Sequence, residues 1–192
     1  MGYKYWDYYL VLENDLIDTS RYVEFNKTNM NTYSIEFARI ILTACAEIDM
    51  VFKEVCRQLT NTVCRNISNY REIILTHRPG FNFRERKISY TQEVVKPFEI
   101  WSTQHGNNPE WWRSYNSIKH ERSGNFDRAS LKNALASLAG LQIVLFELYK
   151  FTEGGDELLF EYRQIPKLIL PEGRGTRMDG TGIYIRYPND LN

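Results

Sequence analysis

The sequence contains few cysteines and histidines, three of each. The cysteines, Cys45, Cys56 and Cys64, are odd in number, and we expect all three on one helix, which argues against a disulfide framework. Because no second cluster of cysteine or histidine accompanies them, neither a zinc site nor any other metal or cofactor is predicted. These absences favour a reducing, cytoplasmic setting.

The chain also lacks an excess of charge of either sign, since Lys+Arg and Asp+Glu both number 24. No overall electrostatic field therefore draws the protein toward nucleic acid or a membrane surface. Any binding of RNA or phosphate must come from a local patch. Two stretches could supply one, the first around Arg84, Arg86 and Lys87 and the second around Lys119 and Arg122.

No stretch approaches the roughly 20 consecutive apolar residues that a membrane-spanning helix needs. The first ten residues contain tyrosines and a tryptophan but no apolar run typical of a signal peptide. Hydrophobic residues nevertheless make up 43% of the chain, enough to fill a core. We therefore expect a globular protein with no membrane partner.

Hydrophobic periodicity predicts a mainly α protein. The expected helices cover 5–25, 35–64, 67–77, 110–122 and about 127–151. In the second of them, an apolar stripe at 100° per residue includes Ile41, Cys45, Ile48, Phe52, Val55 and Leu59. Ser34 is the expected N-cap of this helix, since its hydroxyl can accept a hydrogen bond from the first turn.

Other helices carry further expectations. On the first, Tyr9, Leu12, Leu16 and Tyr22 could share one buried face. The last is apolar on nearly all sides, which is typical of a central helix or of one shared with a partner subunit. The small residues Ala136, Ala139 and Gly140 would permit another helix to cross it closely.

Two segments lack a helical pattern. Residues 78–109 are expected to form a long irregular connection that packs on the core, and such connections often carry function. Residues 156–192 contain short apolar runs separated by glycine and proline, which predicts a small β-hairpin-like extension. The predicted organisation is a helical bundle over 1–155 followed by this extension.

The strongest candidate for chemistry is a trio of polar residues, Arg113, Asn116 and His120. Their offsets of 0, 3 and 7 place them within about 60° of one another on an α-helix. Arginine can clamp a phosphate through two hydrogen bonds, and histidine exchanges protons near neutral pH. Asparagine can orient either partner. Such a set could cleave a phosphodiester without a metal.

Plainer interpretations stay open for each of these residues. Arg113 and His120 could be ordinary cap or salt-bridge residues. Trp111 and Trp112 are expected to bury their rings, although stacking on a base is an alternative. Glu47 could pair with Arg113 or His120 across the bundle, or could simply lie exposed beside the apolar stripe. His77 and His105 are expected to be solvated.

Three segments in order resemble a HEPN (higher eukaryote and prokaryote nucleotide-binding) domain of an uncharacterised bacterial branch. They are YSIEFARIILTACAEIDMVFKEVC, PEWWRSYNSIKHER and FDRASLKNALASLAGLQIVLFELY, within about residues 30–151. The family has an Arg-x(4–6)-His motif near the start of a late helix, and Arg113 and His120 match it with six intervening residues. Ser114 stands where the family usually has Asn, Asp or His, and Asn116 could substitute.

The resemblance implies a helical bundle of four to five helices and the activity of a metal-independent ribonuclease of the toxin or phage-defence type. Arg113 would clamp the phosphate, His120 would transfer protons, and the 2′-hydroxyl of the RNA would attack. It also implies a homodimer whose two motifs meet in a shared cleft, and an antitoxin protein as a further partner. Lys119, Arg122, Glu47 and Ser114 are the expected substrate-binding residues, with Asn116 beside the catalytic pair.

Three hypotheses follow. In the first, the protein cleaves RNA. In the second, it is a non-catalytic HEPN module that binds nucleotide, RNA or a protein through the same groove. In the third, it is a structural or regulatory dimer in which the polar trio ties its helix to neighbouring helices. A buried His120 with all its hydrogen bonds made internally would favour the third.

Overall fold

The computed structural model describes residues 5–103, 107–153, 157–161, 164–172, 174–176 and 182–186 and shows a mainly helical fold. The first strand segments lie between the third and fourth helices, and the others follow the last helix. In chain order the helices are α1 Trp6–Thr19, α2 Ile35–Thr60, α3 Ile67–His77, α4 Ile100–Thr103, α5 Glu110–His120 and α6 Leu131–Glu153.

Helices α2 and α6 form the centre of the bundle, and α1 and α5 each pack against both, while α3 packs against α2. The expected central position of α6 is confirmed, because nearly all of its described side chains are buried. From Leu131 to Phe151 this helix is long and apolar enough to cross a membrane, yet 83% of its apolar window is buried inside the protein. Such burial is typical of the core helix of a soluble protein.

Helix ends follow local chemistry. The Ser34 side chain accepts a hydrogen bond from Phe37 N at 3.1 Å, which confirms the expected N-cap of α2. Asn61, with φ of 55°, ends α2 in the left-handed region. Cys64 therefore lies beyond the helix, so the prediction that all three cysteines share one helix was wrong. Likewise α1 ends at Thr19, and Tyr22 lies 88% exposed rather than on its buried face.

Residues 78–109 are more ordered than the sequence indicated, since they contain two short strands and α4. Arg84 and Arg86 are buried, so they supply no exposed basic patch, whereas Lys87 between them is exposed. The Arg86 guanidinium donates a hydrogen bond to the Gln142 side chain and lies over the Phe146 ring. Burial lowers the pKa of Arg86 to about 10, so it remains charged at neutral pH.

Within the described residues, the strands form two antiparallel sheets of three strands each. In the first, β1 Arg86–Ile88 lies between β2 Val94–Val95 and β4 Ile169–Leu170. In the second, β6 Gly182–Arg186 lies between β3 Glu157–Glu161 and β5 Arg174–Thr176. The pairing of β1 with β4 joins the 78–109 connection to the C-terminal segment.

A buried carboxylate holds β4 against the helices. Glu13 of α1 is 1% exposed and accepts hydrogen bonds from the backbone N–H groups of Lys167, Leu168 and Ile169 at 2.9, 3.1 and 2.8 Å. The Tyr9 hydroxyl also donates to it at 3.3 Å. Residues 164–172, which the sequence assigned to a separate extension, are therefore tied into the helical part.

Replacing Glu13 with glutamine is expected to change how stability depends on pH. Desolvation by burial raises the pKa of Glu13 and outweighs the backbone N–H donors, which lower it. The folded chain thus binds this proton more tightly than the unfolded chain does, and the proton stabilises the fold at low pH. The free energy of unfolding should fall as pH rises from the ordinary glutamate range through the raised pKa.

In Glu13→Gln, the part of the pH dependence of the unfolding free energy that comes from Glu13 should be absent, because the amide does not titrate. Urea unfolding between weakly acidic and neutral pH measures this pH dependence for both proteins, and Glu72→Gln, at an exposed residue of α3, serves as the control. Identical pH slopes in wild type and Glu13→Gln would contradict the prediction.

Candidate functional site

Helix α5 is anchored by one aromatic face. Trp111, Trp112, Tyr115 and Ile118 are all buried, which confirms the expected burial of both tryptophans. The Trp111 indole donates a hydrogen bond to the carbonyl of Pro97 at 2.9 Å. This face fixes the rotation of α5 about its axis, so the opposite face must point outward.

A glycine on α6 makes the packing of α5 possible. A Cβ placed on Gly140 would lie 3.2 Å from Cζ2 of Trp111 and 3.6 Å from Cδ1 of Ile48. The expectation that small residues of α6 permit a close helix approach is thereby confirmed at Gly140. At the start of α5, Pro109 occupies the N-cap position and no side chain caps the helix.

The outward face of α5 carries the predicted trio. Arg113 and His120 are exposed, and Asn116 is half-buried, with its side-chain amide donating to the carbonyl of Trp112 at 3.1 Å. Within the described part of the chain, neither Arg113 nor His120 forms an ion pair or a side-chain hydrogen bond. A buried His120 with internal hydrogen bonds would have favoured a purely structural role, but His120 is exposed.

Two neighbouring cations also point outward. Lys119 is exposed, with its ammonium 3.3 Å from the Tyr115 hydroxyl and 5.4 Å from the centre of that ring. Arg122 is exposed just beyond the end of α5. Both are therefore available to an anionic ligand.

Ser114 and Glu47 do not join this exposed group. Ser114 is 2% exposed, and its hydroxyl accepts a hydrogen bond from the Asn133 amide at 3.0 Å. Glu47 on α2 is half-buried, and desolvation raises the pKa of its carboxyl. No ion pair joins Glu47 to Arg113 or His120 among the described residues, so the cross-bundle pairing considered from sequence is not formed.

Arg113 also lines a groove of about 700 Å³ that the sequence did not reveal. Its floor is largely apolar and its rim is charged, with Lys27 paired to Glu93 at 3.0 Å and Lys132 paired to Glu110 at 2.7 Å. The groove joins parts of the chain that are far apart in sequence. They are Lys27 and Met30, Ile88, residues 93–97, 99 and 100, Pro109 with Glu110, Trp111 and Arg113 of α5, and Lys132, Asn133, Leu135 and Ala136 of α6.

Three arginines on α5 and in the segment before α6 differ from most exposed cations elsewhere. Lys53, for example, contacts Asp49 on α2, and Arg21 contacts Asp18 of α1. In contrast, Arg113, Arg122 and Arg128 are exposed, and none of them contacts a carboxylate among the residues that the structure describes. None of these three arginines is therefore neutralised by a contacting carboxylate, although the exposed Glu121 and Asp127 lie in the same stretch of chain.

The described residues contain no cluster of three or more His, Cys, Asp or Glu side chains that could hold a metal ion. Comparisons of the chain with protein-family models, curated proteins and solved structures found no match. The HEPN resemblance thus rests on the three sequence segments and on the position of Arg113 and His120.

Proposed function

We propose that this protein cleaves RNA without a metal ion, using Arg113 and His120 in a homodimer. The observation that carries the proposal is the exposure of a guanidinium and an imidazole on one face of α5, neither of them paired with a described carboxylate. An arginine that only stabilised the fold would be expected to contact a carboxylate or a carbonyl. A bound phosphate group would accept the hydrogen bonds that the Arg113 guanidinium can donate.

The chemistry needs only these two groups and the RNA. The His120 imidazole takes the proton from a ribose 2′-hydroxyl as that oxygen attacks the neighbouring phosphorus. Arg113 stabilises the negative charge that builds on the non-bridging oxygens. The bond to the 5′-oxygen of the next nucleotide then breaks, and that oxygen takes up a proton from the His120 imidazolium, directly or through water. The products are a 2′,3′-cyclic phosphate and a 5′-hydroxyl end.

A second copy of the chain would complete the site. Arg113 and His120 are seven positions apart, which corresponds to about 10 Å along the helix axis. If two α5 helices meet antiparallel, His120 of one copy lies opposite Arg113 of the other. One phosphate could then contact both groups, and the dimer would contain two equivalent sites.

The test is cleavage of a single-stranded RNA by the purified protein in EDTA. We expect products that carry 2′,3′-cyclic phosphate ends, together with a dimer by light scattering. A substrate with 2′-O-methyl groups should stay intact, because its oxygen cannot attack. Intact natural RNA after prolonged incubation with the dimer would remove the proposal.

The groove favours a second candidate, a non-catalytic module that binds a phosphorylated ligand such as a nucleotide. Arg113 lines the groove, whereas Asn116 and His120 do not. In that case Arg113→Ala should weaken nucleotide binding at least tenfold, and His120→Ala should leave it unchanged. Calorimetry with a nucleoside triphosphate separates the two candidates, since equal losses in both variants would contradict the second.

A further inference from the structure

An exposed tyrosine and a half-buried phenylalanine form an aromatic pair beside α5. Tyr33 is 52% exposed, and its ring meets that of Phe126 edge-to-face, with centroids 5.6 Å apart and an angle of 78° between the planes. An edge-to-face contact supports a ring without covering both of its faces. Much of the Tyr33 ring therefore remains open to a ligand.

The backbone on both sides of Tyr33 is held in place. Tyr33 forms an antiparallel bridge with Ser130. Ser34 N donates to the carbonyl of Ala129 at 3.2 Å, and Leu131 N donates to the carbonyl of Thr32 at 2.9 Å. A ligand that contacts this ring would therefore not have to order a mobile loop, which would reduce affinity.

The aromatic pair is connected to the proposed site. Phe126 belongs to the 3₁₀ turn Phe126–Arg128, which packs against α5. The Asn133 amide donates at 3.0 Å both to the Ser114 hydroxyl on α5 and to the carbonyl of Arg128. Buried Ser114 thus helps to fix the position of this turn relative to Arg113 and His120.

Cations accompany the aromatic ring. Arg122 and Arg128 flank Phe126 in the chain, and both are exposed without a carboxylate partner among the described residues. An open aromatic ring with neighbouring cations is the chemistry that recognises single-stranded nucleic acid, because bases stack on the ring and phosphates contact the cations. A duplex keeps its bases stacked internally and offers none to the ring.

We propose that Tyr33, supported by Phe126, stacks on an unpaired base of single-stranded RNA, and that Arg122 and Arg128 contact the adjacent phosphates. The proposal rests on the proposed function for its choice of RNA as the ligand. It adds that the strand runs from the outward face of α5 over the turn Phe126–Arg128. The site would therefore prefer single-stranded RNA to duplex RNA.

Binding of a fluorescein-labelled, 2′-O-methylated single-stranded oligoadenylate, followed by anisotropy, tests the proposal without cleavage. Tyr33→Leu should raise Kd about fivefold or more, the usual loss when one base–aromatic stack is removed. Tyr33→Phe should retain binding, and Tyr8→Leu, at a tyrosine of similar exposure on α1, should change nothing. Arg128→Ala should lower the slope of log Kd against log salt by about 0.7.

Equal Kd values for Tyr33→Leu and Tyr8→Leu, or an equal effect of Tyr33→Leu on a duplex of the same length, would overturn the proposal. Photo-crosslinking of a 5-iodouridine-containing strand to the wild-type protein needs no variant, and the crosslinked peptide should contain Tyr33. Tyr33-dependent binding without any RNA cleavage would uphold this inference while the nuclease proposal failed. Cleavage that depends on His120, with binding independent of Tyr33, would uphold the nuclease proposal while this inference failed.

Discussion

Replacing His120 with alanine is expected to lower the rate of RNA cleavage by about 100- to 10,000-fold, the usual contribution of a positioned proton-transfer group. The imidazole is exposed at the last residue of α5 and makes no side-chain hydrogen bond with any described residue. Its removal should therefore leave the fold intact. Arg113→Ala should produce a loss of similar size, since charge on the phosphate would no longer be stabilised.

A matched control comes from the other helix that ends in a histidine. His77 is the last residue of α3, is exposed, and contacts the carbonyl of Ile73 through Nδ1 at 2.9 Å. His77→Ala should cleave RNA at the wild-type rate. Initial cleavage rates on a labelled RNA in EDTA, with melting curves for every variant, test this prediction. A His120→Ala variant as active as His77→Ala would exclude this imidazole from the reaction.

Glu147→Gln is expected to destabilise the protein by about 3–5 kcal/mol, the usual loss when one partner of a buried ion pair is removed. The Glu147 side chain is 0% exposed, and its carboxylate lies 2.9 Å from Arg84, 3.2 Å from Arg78 and 3.4 Å from Lys150. Arg84 is itself buried. Without the carboxylate, these cations repel one another in a site with little access to water.

Thermal unfolding should show a drop in Tm of about 10 °C for Glu147→Gln. The double variant Glu147→Gln/Arg84→Met should recover part of that loss, because it removes a buried cation whose ion pair with Glu147 is lost. Asp18→Asn is the control, since Asp18 pairs with Arg21 where both side chains are largely exposed. A Glu147→Gln variant as stable as Asp18→Asn would show that this cluster does not stabilise the fold.

The exposed face of α5 could be predicted from sequence because it depends on spacing along a single helix. Two tryptophans, a tyrosine and an isoleucine fix which side is buried, and Arg113 and His120 then point outward. Ser114 was misplaced because its role in substrate binding came from the HEPN resemblance and not from helix spacing. Its partner is Asn133, 19 residues away on α6, and that contact depends on how the two helices pack.

The basic stretch near residue 85 shows why composition alone was insufficient. Arg84 and Arg86 resemble a surface patch when read in order, and their partners Glu147 and Gln142 lie about 60 residues away. An arginine that can be neutralised inside the protein is no longer available to RNA. Only the packing of the 78–109 connection on α6 determines that outcome.

The contact between Tyr33 and Phe126 could not be predicted from sequence either. Tyr33 was part of a polar loop with no periodic pattern, and Phe126 lay near the start of an expected helix. The two rings meet because residues 32–34 pair with residues 129–131 through backbone hydrogen bonds. Backbone hydrogen bonds between distant segments leave no recognisable pattern of side chains in the sequence.

By itself, the sequence determined what depends on neighbours within a few turns of chain: the positions of the main helices, the N-cap at Ser34 and the outward face of α5. Tertiary structure alone decided which charges remain available, because a cation is neutralised by whichever carboxylate the fold brings near it. It also decided that Glu13 would hold β4 and that Arg113 would line a groove. Hydrogen bonds and ion pairs act over a few ångströms, irrespective of separation along the chain.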